Sequence, residues 1–278
     1  MSHVALVVHE GREAAVAAAG EIESMLRGEG AATSRIREGG SLPDRADLVV
    51  SVGGDGTFLR AAHVAALVGA PVLGVKVGRM GFLTEVGPEE AAPLLRSVLS
   101  GEVAVEERLA VTAESELGDG IAPQWALNEI MVEKRARHRL VRLAVWVDGD
   151  YVTTFSADGV IVATPTGSTA YSFSARGPIV APGLDCLVLT PIAAHMVFDR
   201  SFVLDATQHV TIEVRGDEPG LLSADGRESL ELPVSSRIRI RASTRPARLV
   251  RRPGAPGFLT LVREKFDLPG EPDVGTPR

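Results

Sequence analysis

The chain has 278 residues, more than an average single domain, so we expect two domains of about 100 to 200 residues each. Hydrophobic residues make up 45% of the chain and charged residues 23%, which is typical of a folded globular protein. The net charge of −7 and the pI near 5.5 argue against a nucleic-acid partner.

Cysteine content and hydropathy exclude several further classes of protein. A single cysteine, Cys186, cannot form an intramolecular disulfide, and the six histidines do not fall at zinc-ligand spacing. The apolar stretch at residues 3–8 is too short for a signal-peptide core. No segment approaches the roughly 18 apolar residues that a membrane helix needs. We therefore expect a cytoplasmic protein that does not bind membranes.

The first hundred residues alternate apolar runs with amphipathic segments. Continuous apolar runs predict strands that are buried on both faces of a sheet, and apolar residues spaced three and four apart predict helices. Gly28 and Gly101 are expected to end the first and the last of these helices. Strands are predicted at 4–8, 48–52 and 71–75, and helices at 13–27, 58–68 and 88–99. This alternation indicates a parallel α/β domain over residues 1–103.

From residue 104 onward the pattern changes to a period of two, which predicts a mostly β domain over residues 104–245. Asp148-Gly149 and Asp225-Gly226 are expected to form tight turns. Residues 258–266 fit either a helix or a strand, within a segment, 246–266, that we expect to pack back on the N-terminal domain. We expect residues 267–278 to be a loose tail. The strongest period-two segments are 142–147, 159–163, 210–214 and 237–241.

A glycine-rich turn, Gly53-Gly54-Asp55-Gly56-Thr57, follows a predicted buried strand and precedes a predicted helix. Glycines let a ligand approach the backbone, so amides at the start of the helix can converge on a phosphate. A carboxylate within such a turn would repel phosphate, unless magnesium lies between them or the carboxylate holds an attacking hydroxyl. The alternative is an ordinary strand-to-helix turn with an N-cap aspartate.

Other nucleotide and hydrolase motifs are absent from the sequence. It contains neither a G-x-x-x-x-G-K-[ST] loop nor a G-x-G-x-x-G fingerprint, and neither H-E-x-x-H nor G-x-S-x-G. A P-loop NTPase and a standard Rossmann dehydrogenase are therefore disfavoured.

Two further clusters carry polar side chains beside apolar segments. Asn128-Glu129 places an amide next to a carboxylate, which suits ribose hydroxyls or a metal-bound water; a polar strand end is the alternative. Asp158 precedes a predicted strand, and Thr164 to Ser172 follows it. This second segment is rich in small hydroxyl side chains and contains Tyr171, whose ring suits stacking on a base, although an ordinary loop is also possible.

These motifs together resemble the NAD kinase family in their order and spacing over about residues 47–233. Gly78-Arg79-Met80-Gly81-Phe82-Leu83 and Ser223-Ala224-Asp225-Gly226 complete the resemblance. The glycine-aspartate turn alone is shared with diacylglycerol kinases, sphingosine kinases and phosphofructokinases. The Thr164 to Ser172 segment is the part that is specific to NAD kinases.

The resemblance implies a role for each matching residue. Asp55 would hold the 2′-hydroxyl of the adenosine ribose of NAD and act as the catalytic base. Asn128 and Glu129 would bind ribose hydroxyls, and Asp158 would meet the nicotinamide carboxamide. The remaining implied NAD contacts are Gly56, Phe82, Thr169, Ala170, Tyr171 and Ser174, and the implied phosphate contacts are Gly53, Gly54 and Thr57.

The resemblance also implies a Rossmann-like α/β domain and a C-terminal β-sandwich with the site between them, in a homodimer or homotetramer. The substrates would be NAD with ATP or polyphosphate, with Mg²⁺ as cofactor. A lipid or sugar kinase and a non-catalytic dinucleotide sensor remain alternatives.

The chain departs from the family pattern at Lys76, Ala194, Ser201 and Arg227. Lys76 and Arg227 are either extra phosphate contacts or solvated cations. The basic run at 134–139 is either a solvated hairpin end or a binding site for the phosphate donor.

Overall fold

The computed structural model describes residues 2–37, 40, 43–78, 81–117, 121–196, 198–227 and 229–269. The helices are α1 (Glu13–Gly28), α2 (Asp55–Val68), α3 (Pro88–Leu99), α4 (Tyr171–Ser174) and α5 (Phe258–Lys265), with a 3-10 turn at Thr166–Thr169. None of the helices in these ranges has both the length and the hydropathy of a membrane span.

The described residues form two sets of nine strands in chain order. The first comprises β1 (His3–Val8), β2 (Ala32–Ile36), β3 (Leu48–Gly53), β4 (Val72–Lys76), β5 (Ala104–Arg108), β6 (Val111–Ser115), β7 (Gln124–Ala126), β8 (Glu129–Lys134) and β9 (Val141–Val147). The second comprises β10 (Asp150–Ala157), β11 (Gly159–Ala163), β12 (Cys186–Ile192), β13 (Phe202–Asp205), β14 (Val210–Arg215), β15 (Gly220–Ala224), β16 (Leu230–Leu232), β17 (Arg237–Ala242) and β18 (Ala247–Arg251).

The N-terminal domain is built on a six-stranded sheet of order β2-β1-β3-β4-β18-β5. Strands β1 to β4 are parallel, and only β5 runs antiparallel to its neighbour. Side chains of α1 and α3 cover one face of the sheet and those of α2 cover the other. Because both faces are covered, the central strands are predominantly apolar, and the predicted α/β domain is confirmed.

Local details of this domain differ from the sequence expectations. Strand β2 is not predicted by the pattern because its middle residues are polar; it is an edge strand that β1 holds by parallel pairing. Gly28 lies inside α1, and Gly30 is the glycine with a left-handed φ of 79° after the helix. Helix α2 begins at Asp55, three residues before the predicted start, so the glycine-aspartate turn runs directly into the helix.

The second domain is a sandwich of two antiparallel six-stranded sheets. Their orders are β10-β9-β14-β17-β6-β7 and β13-β12-β11-β8-β15-β16. Inward-facing apolar side chains of both sheets, such as Leu143, Phe155 and Leu187, form one core between them. The alternating pattern of these strands follows from having one face in that core and the other outside it.

The domain boundary expected at residue 104 is wrong by one strand. Strand β5 pairs with β18 in the N-terminal sheet, and the chain enters the sandwich only at β6. The sequence could not show this, because the partner of β5 lies about 140 residues later in the chain. Residues 258–266, ambiguous in the sequence, are helical in α5. Residues 270–278 of the expected tail lie outside the described residues.

Candidate active site

The glycine-aspartate turn lies at the carboxyl edge of the N-terminal sheet. Strand β3 ends at Gly53, and Gly54 leads into α2 with an extended conformation. The first amides of a helix have no intrahelical acceptor, so the start of α2 presents free N–H groups. Thr57 is buried, whereas Gly56 is exposed. The turn therefore has the backbone arrangement that the phosphate-binding prediction requires.

The Asp55 carboxylate is fixed by a neighbouring loop. The amide of Phe82 donates to Oδ2 at 2.9 Å, and the amide of Leu83 donates to Oδ1 at 3.3 Å. A Cβ atom at Gly81 would overlap this carboxylate and would force it to move, so glycine lets Asp55 keep its position. Asp55 is the first helical residue and Gly54 is the N-cap, so the alternative of an N-cap aspartate is wrong. Arg79 and Met80 of the same motif lie outside the described residues.

Asn128 and Glu129 are buried where the chain enters β8, with 7% and 9% of their surface exposed. Among the described residues, Asn128 Oδ1 and Glu129 Oε2 have no hydrogen-bond partner. Burial raises the pKa of Glu129 to about 8, with a further contribution from the charge of Asp225 and an opposing one from the amide of Tyr171. Buried polar atoms are rarely left without a partner, so these two acceptors indicate a polar ligand.

Asp225 holds this segment in place from a distant turn. Its carboxylate accepts hydrogen bonds from the amides of Leu127 (2.8 Å), Asn128 (2.8 Å) and Glu129 (3.2 Å). The φ of Asp225 is 51°, a left-handed conformation that Asp adopts more readily than most residues. The sequence marks Asp225 as part of a tight turn, but it does not indicate that this aspartate supports the Asn128–Glu129 segment.

Arg227 belongs to the same support. Its guanidinium donates to the carbonyl oxygens of Trp125 and Ala224, and burial lowers its pKa. Nε and Nη2 are thus engaged by backbone carbonyls, whereas Nη1 is buried without a partner among the described residues. The structure therefore favours a supporting role over the phosphate contact considered from the sequence.

The hydroxyl-rich loop is packed against Asn128 rather than projecting freely. Thr164 Oγ1 donates to the carbonyl of Leu127 at 2.6 Å, and the amide of Thr164 donates to the carbonyl of Asn128 at 2.8 Å. Ser168 Oγ donates to Pro165 O at 2.7 Å and accepts from the amide of Val180 at 2.9 Å. These hydroxyls are engaged by the protein itself. The side chains that remain partly open are those of Thr169, Ala170, Tyr171 and Ser174.

An aromatic contact joins the glycine-aspartate region to this loop. The rings of Phe82 and Phe266 have centroids 5.9 Å apart, and those of Phe266 and Phe173 are 4.4 Å apart. Tyr171, two residues before Phe173, is 43% exposed. The structure thus brings Asp55, Phe82 and the start of α4 into one region. Phe266 completes it, and no motif pointed to that residue.

Asp158 lies away from this region. Glu129 pairs with Ala163 at one end of β11, whereas Asp158 precedes the other end. At about 3.4 Å per residue, the length of β11 separates Asp158 from Glu129 by on the order of 15 Å. Asp158 forms an ion pair with Lys134 at 2.5 Å. A groove of about 450 Å³ is lined by Ser174 and Ile192 among others, and the carbonyl of Ile192 accepts a hydrogen bond from the amide of Asp158 at 3.0 Å.

The basic run at 134–139 connects β8 to β9. Arg135 pairs with Glu231 at 2.9 Å and Arg139 with Glu218 at 2.5 Å, both near the surface. This agrees with the solvated hairpin end and gives no support to a donor site there. No group of three or more His, Cys, Asp or Glu side chains within the described residues is arranged to hold a metal ion.

Comparison with known proteins defines the class. Residues 37–103 match the family model of the ATP-NAD kinase N-terminal domain, and residues 127–252 match that of the ATP-NAD kinase C-terminal domain. The chain is therefore a kinase that joins an α/β domain carrying a glycine-aspartate turn to a β-sandwich.

Curated relatives identify the family. A NAD kinase of Leifsonia xyli subsp. xyli is 40% identical over 255 residues, which cover 90% of this chain and 83% of the relative. A NAD kinase of Rhodococcus erythropolis is 43% identical over 232 residues, which cover 82% and 73%. The chain belongs to the NAD kinase family and is an enzyme, which confirms the resemblance seen in its motifs.

Solved structures agree with the fold. The NAD kinase from Archaeoglobus fulgidus, solved in complex with ATP, is similar with a TM-score of 0.74 and 29% identity, covering 90% of this chain and 93% of that one. Yeast NADH kinase, solved in complex with NADH, has a TM-score of 0.84 over 100% of this chain and 89% of that one. Its identity of 23% supports the fold alone.

Proposed function

We propose that the enzyme transfers a phosphoryl group from ATP or polyphosphate to the 2′-hydroxyl of the adenosine ribose of NAD, giving NADP. The observation that carries this proposal is the Asp55 carboxylate, which two amides hold beside the free N–H groups at the start of α2. An anion-binding backbone next to a fixed carboxylate suits a reaction in which a hydroxyl attacks a phosphate.

In this reaction Asp55 accepts the hydrogen bond of the attacking hydroxyl. The hydroxyl oxygen forms a bond to the terminal phosphorus, the bond from that phosphorus to the donor breaks, and the hydroxyl proton passes to the carboxylate. A carboxylate is a weak base for a sugar hydroxyl, but the transition state of phosphoryl transfer is loose and the proton leaves late. Asp55 therefore acts mainly by orienting the nucleophile. The phosphate groups would contact Gly53, Gly54 and Thr57.

NAD would lie along the sandwich side of the site. The unpartnered oxygens of Asn128 and Glu129 would accept hydrogen bonds from ribose hydroxyls. The adenine would stack on the half-exposed ring of Tyr171. The further contacts of the adenosine would be Gly56, Phe82, Thr169 and Ala170. The groove from Ser174 toward Ile192 would lead the nicotinamide half to Asp158.

Magnesium fits this site as a partner of the donor. Mg²⁺ usually keeps several waters and binds through one or two carboxylates together with substrate phosphates, so a dedicated cluster of protein ligands is not required. Asp55 supplies a carboxylate beside the proposed phosphate site. The ion would neutralise charge on the phosphates while Asp55 orients the hydroxyl.

We also propose a homodimer or homotetramer. Apolar side chains are exposed beside the edge strand β13, including Leu184 (55%), Phe198 (41%) and Val203 (58%). Light scattering of the purified chain tests the assembly: a single species at the monomer mass would contradict it.

The activity is tested by incubating the purified protein with Mg²⁺ and with either ATP or inorganic polyphosphate. NAD and NADH are supplied in parallel as acceptors; NADP formed from NAD is read with an NADP-specific dehydrogenase, and NADPH formed from NADH is read with an NADPH-specific reductase. We expect NADP in at least one tube, and the tube identifies the donor. If NAD binds but neither donor gives NADP, the proposed reaction is wrong.

A further inference from the structure

Helix α5 forms one wall of the candidate active site, although no sequence motif marks it. Phe266, directly after the helix, contacts the rings of Phe82 and Phe173. Phe258 and Leu261, about two turns and one turn earlier, line a small pocket together with Phe82. The helix is therefore packed against the loop whose amides hold the catalytic carboxylate.

Lys265, the last residue of α5, lies in the field of two charged groups of the glycine-aspartate region. Burial lowers the pKa of Lys265, the carboxylate of Asp55 raises it, and the ammonium of Lys76 lowers it. Lys265 directly precedes Phe266, whose ring contacts that of Phe82, and the amide of Phe82 binds Asp55. The end of α5 therefore lies beside the Asp55 region, in agreement with these electrostatic effects.

Lys76 reaches the same region from the sheet. It ends β4 in register with Gly53, and the amide of Val77 donates to the carbonyl of Gly53 at 3.0 Å. Within the described part of the chain, no carboxylate forms an ion pair with either ammonium within 4.0 Å. The two ammonium groups repel each other in a region where Asp55 is the carboxylate that acts on Lys265, and a bound polyanion would attract both ammonium groups.

The residue type points to phosphate. Only three of the 29 Lys and Arg residues are lysines, and Lys134, the third, pairs with Asp158. The ammonium of lysine is a compact point charge on a flexible stem, and it binds phosphate oxygens without the planar geometry that arginine demands. Lys76 and Lys265 therefore suit a flexible chain of phosphates.

We propose that Lys265 and Lys76 form a two-lysine clamp that binds the terminal phosphates of the phosphoryl donor beside Asp55. This inference rests on the proposed function and adds residues to it, one of them on a helix that lies outside both matched family models. The clamp binds the phosphoanhydride chain itself, so it serves ATP and inorganic polyphosphate alike. The two positive charges would also stabilise the negative charge on the transferring phosphoryl group.

The test compares Lys265→Gln with Arg263→Gln, which removes the same charge from an exposed position of the same helix. NADP formation is measured against donor concentration at saturating NAD, and against NAD concentration at saturating donor. We expect Lys265→Gln to lower kcat/KM for the donor about tenfold or more, the scale of a lost charge-assisted hydrogen bond, with the KM for NAD within twofold. Arg263→Gln should behave as the wild type.

A binding measurement separates the clamp from an effect on turnover or folding. Inorganic tripolyphosphate is titrated by calorimetry, with Mg²⁺ present, into the wild type, Lys265→Gln, Lys76→Gln and Arg263→Gln. We expect both lysine variants, which lie on different elements, to bind at least tenfold more weakly, with unchanged thermal melting of Lys76→Gln as the check on folding.

The outcomes distinguish this inference from the function on which it rests. If the wild type makes no NADP, the proposed function fails. If the wild type makes NADP but folded Lys265→Gln keeps the donor kcat/KM and the tripolyphosphate affinity, the clamp is wrong and the proposed function stands. Weaker use of ATP with unchanged tripolyphosphate binding would also overturn the clamp, because the contact would then be to the nucleoside.

Discussion

Asp55 and Glu129 are both carboxylates of the candidate active site, but the protein holds them in opposite ways. Asp55 lies at a half-buried helix start, where two amides from an adjacent loop fix both of its oxygens. Glu129 is buried in the sandwich, has one oxygen without a partner in the described part of the chain, and has a pKa raised to about 8. The first carboxylate is positioned before any ligand binds, whereas the second still requires a polar partner.

The supports of the two carboxylates also differ in range. Asp55 belongs to five consecutive residues between a strand and a helix, and its amide donors lie 27 and 28 residues away. The segment around Glu129 depends on Asp225, which is 96 residues away. The comparison teaches that a neighbouring loop organises the proposed phosphate half of this site, whereas a much more distant buried turn organises the proposed dinucleotide half.

The largest expected effect is on catalysis at Asp55. Asp55→Asn keeps the shape of the side chain but removes the proton acceptor, so we expect kcat to fall at least a hundredfold. NAD binding, measured by calorimetry, should remain because the sandwich contacts are intact. Turnover equal to that of the wild type would remove Asp55 from the mechanism. The positioned carboxylate would then have no catalytic role.

The second prediction concerns the long-range support. Asp225→Asn places an amide N–H₂ against the donors of residues 127–129, so we expect a loss of about 2 to 3 kcal/mol in the free energy of unfolding. The KM for NAD should rise as the Asn128–Glu129 segment moves. Urea unfolding and steady-state kinetics measure the two effects.

Asp148 provides the matched control for Asp225. It has the same φ of 51°, is also followed by a glycine, and accepts a backbone hydrogen bond from His209, but it is exposed. Asp148→Asn should cause a clearly smaller loss of stability and leave the KM for NAD unchanged. Equal losses of stability in the two variants would mean that Asp225 stabilises only its own turn and not the buried segment at residues 127–129.

The third prediction is a dependence of stability on pH. The pKa of Glu129 is about 8 in the folded state against 4.5 for an exposed glutamate, so the folded state retains a proton that the unfolded state releases. This contribution to stability is complete below pH 4.5 and is lost as the pH rises toward 8, with a slope of at most about 1.4 kcal/mol per pH unit.

Glu129→Gln should flatten this part of the profile, because the amide does not titrate. Asp225, whose pKa burial also raises, acts in the same direction and is left unchanged in this variant. Urea unfolding from pH 4.5 to 8 compares the two proteins. Profiles of equal slope would show that Glu129 is ionised in the folded protein.

The smallest expected effect is at the proposed adenine contact. Tyr171→Ala should raise the KM for NAD with little change in kcat, because stacking is lost equally in the ground state and the transition state. Tyr151, the other tyrosine of the chain, is 56% exposed; its ring packs edge-on against Trp146 and its hydroxyl bonds that of Thr154. Tyr151→Ala should leave the KM unchanged, and a KM unaffected by Tyr171→Ala would place the adenine elsewhere.

Sequence patterns predicted most of the fold because its main signals are local. Apolar runs and helical periods gave β1, β3, β4, α1 and α3 to within two residues, and the period-two segments gave the central strands of the sandwich. The pattern missed β2, whose polar residues are held by an edge pairing, and assigned β5 to the wrong domain. Both errors arise where pairing with a distant strand, rather than hydropathy, decides the structure.

For the site, the sequence by itself determined which chemical groups are present: the glycine-aspartate turn, the Asn-Glu pair and the hydroxyl-rich loop are short motifs whose residue types limit their chemistry. Only the tertiary structure decided how those groups are used. Residues far apart in the chain turn Asp55 toward the amides of Phe82 and Leu83, place Asp225 beneath Asn128, and bring Lys265 and Phe266 to the site. A motif specifies local backbone geometry, but burial, charge and the partner of each polar atom depend on contacts across the fold.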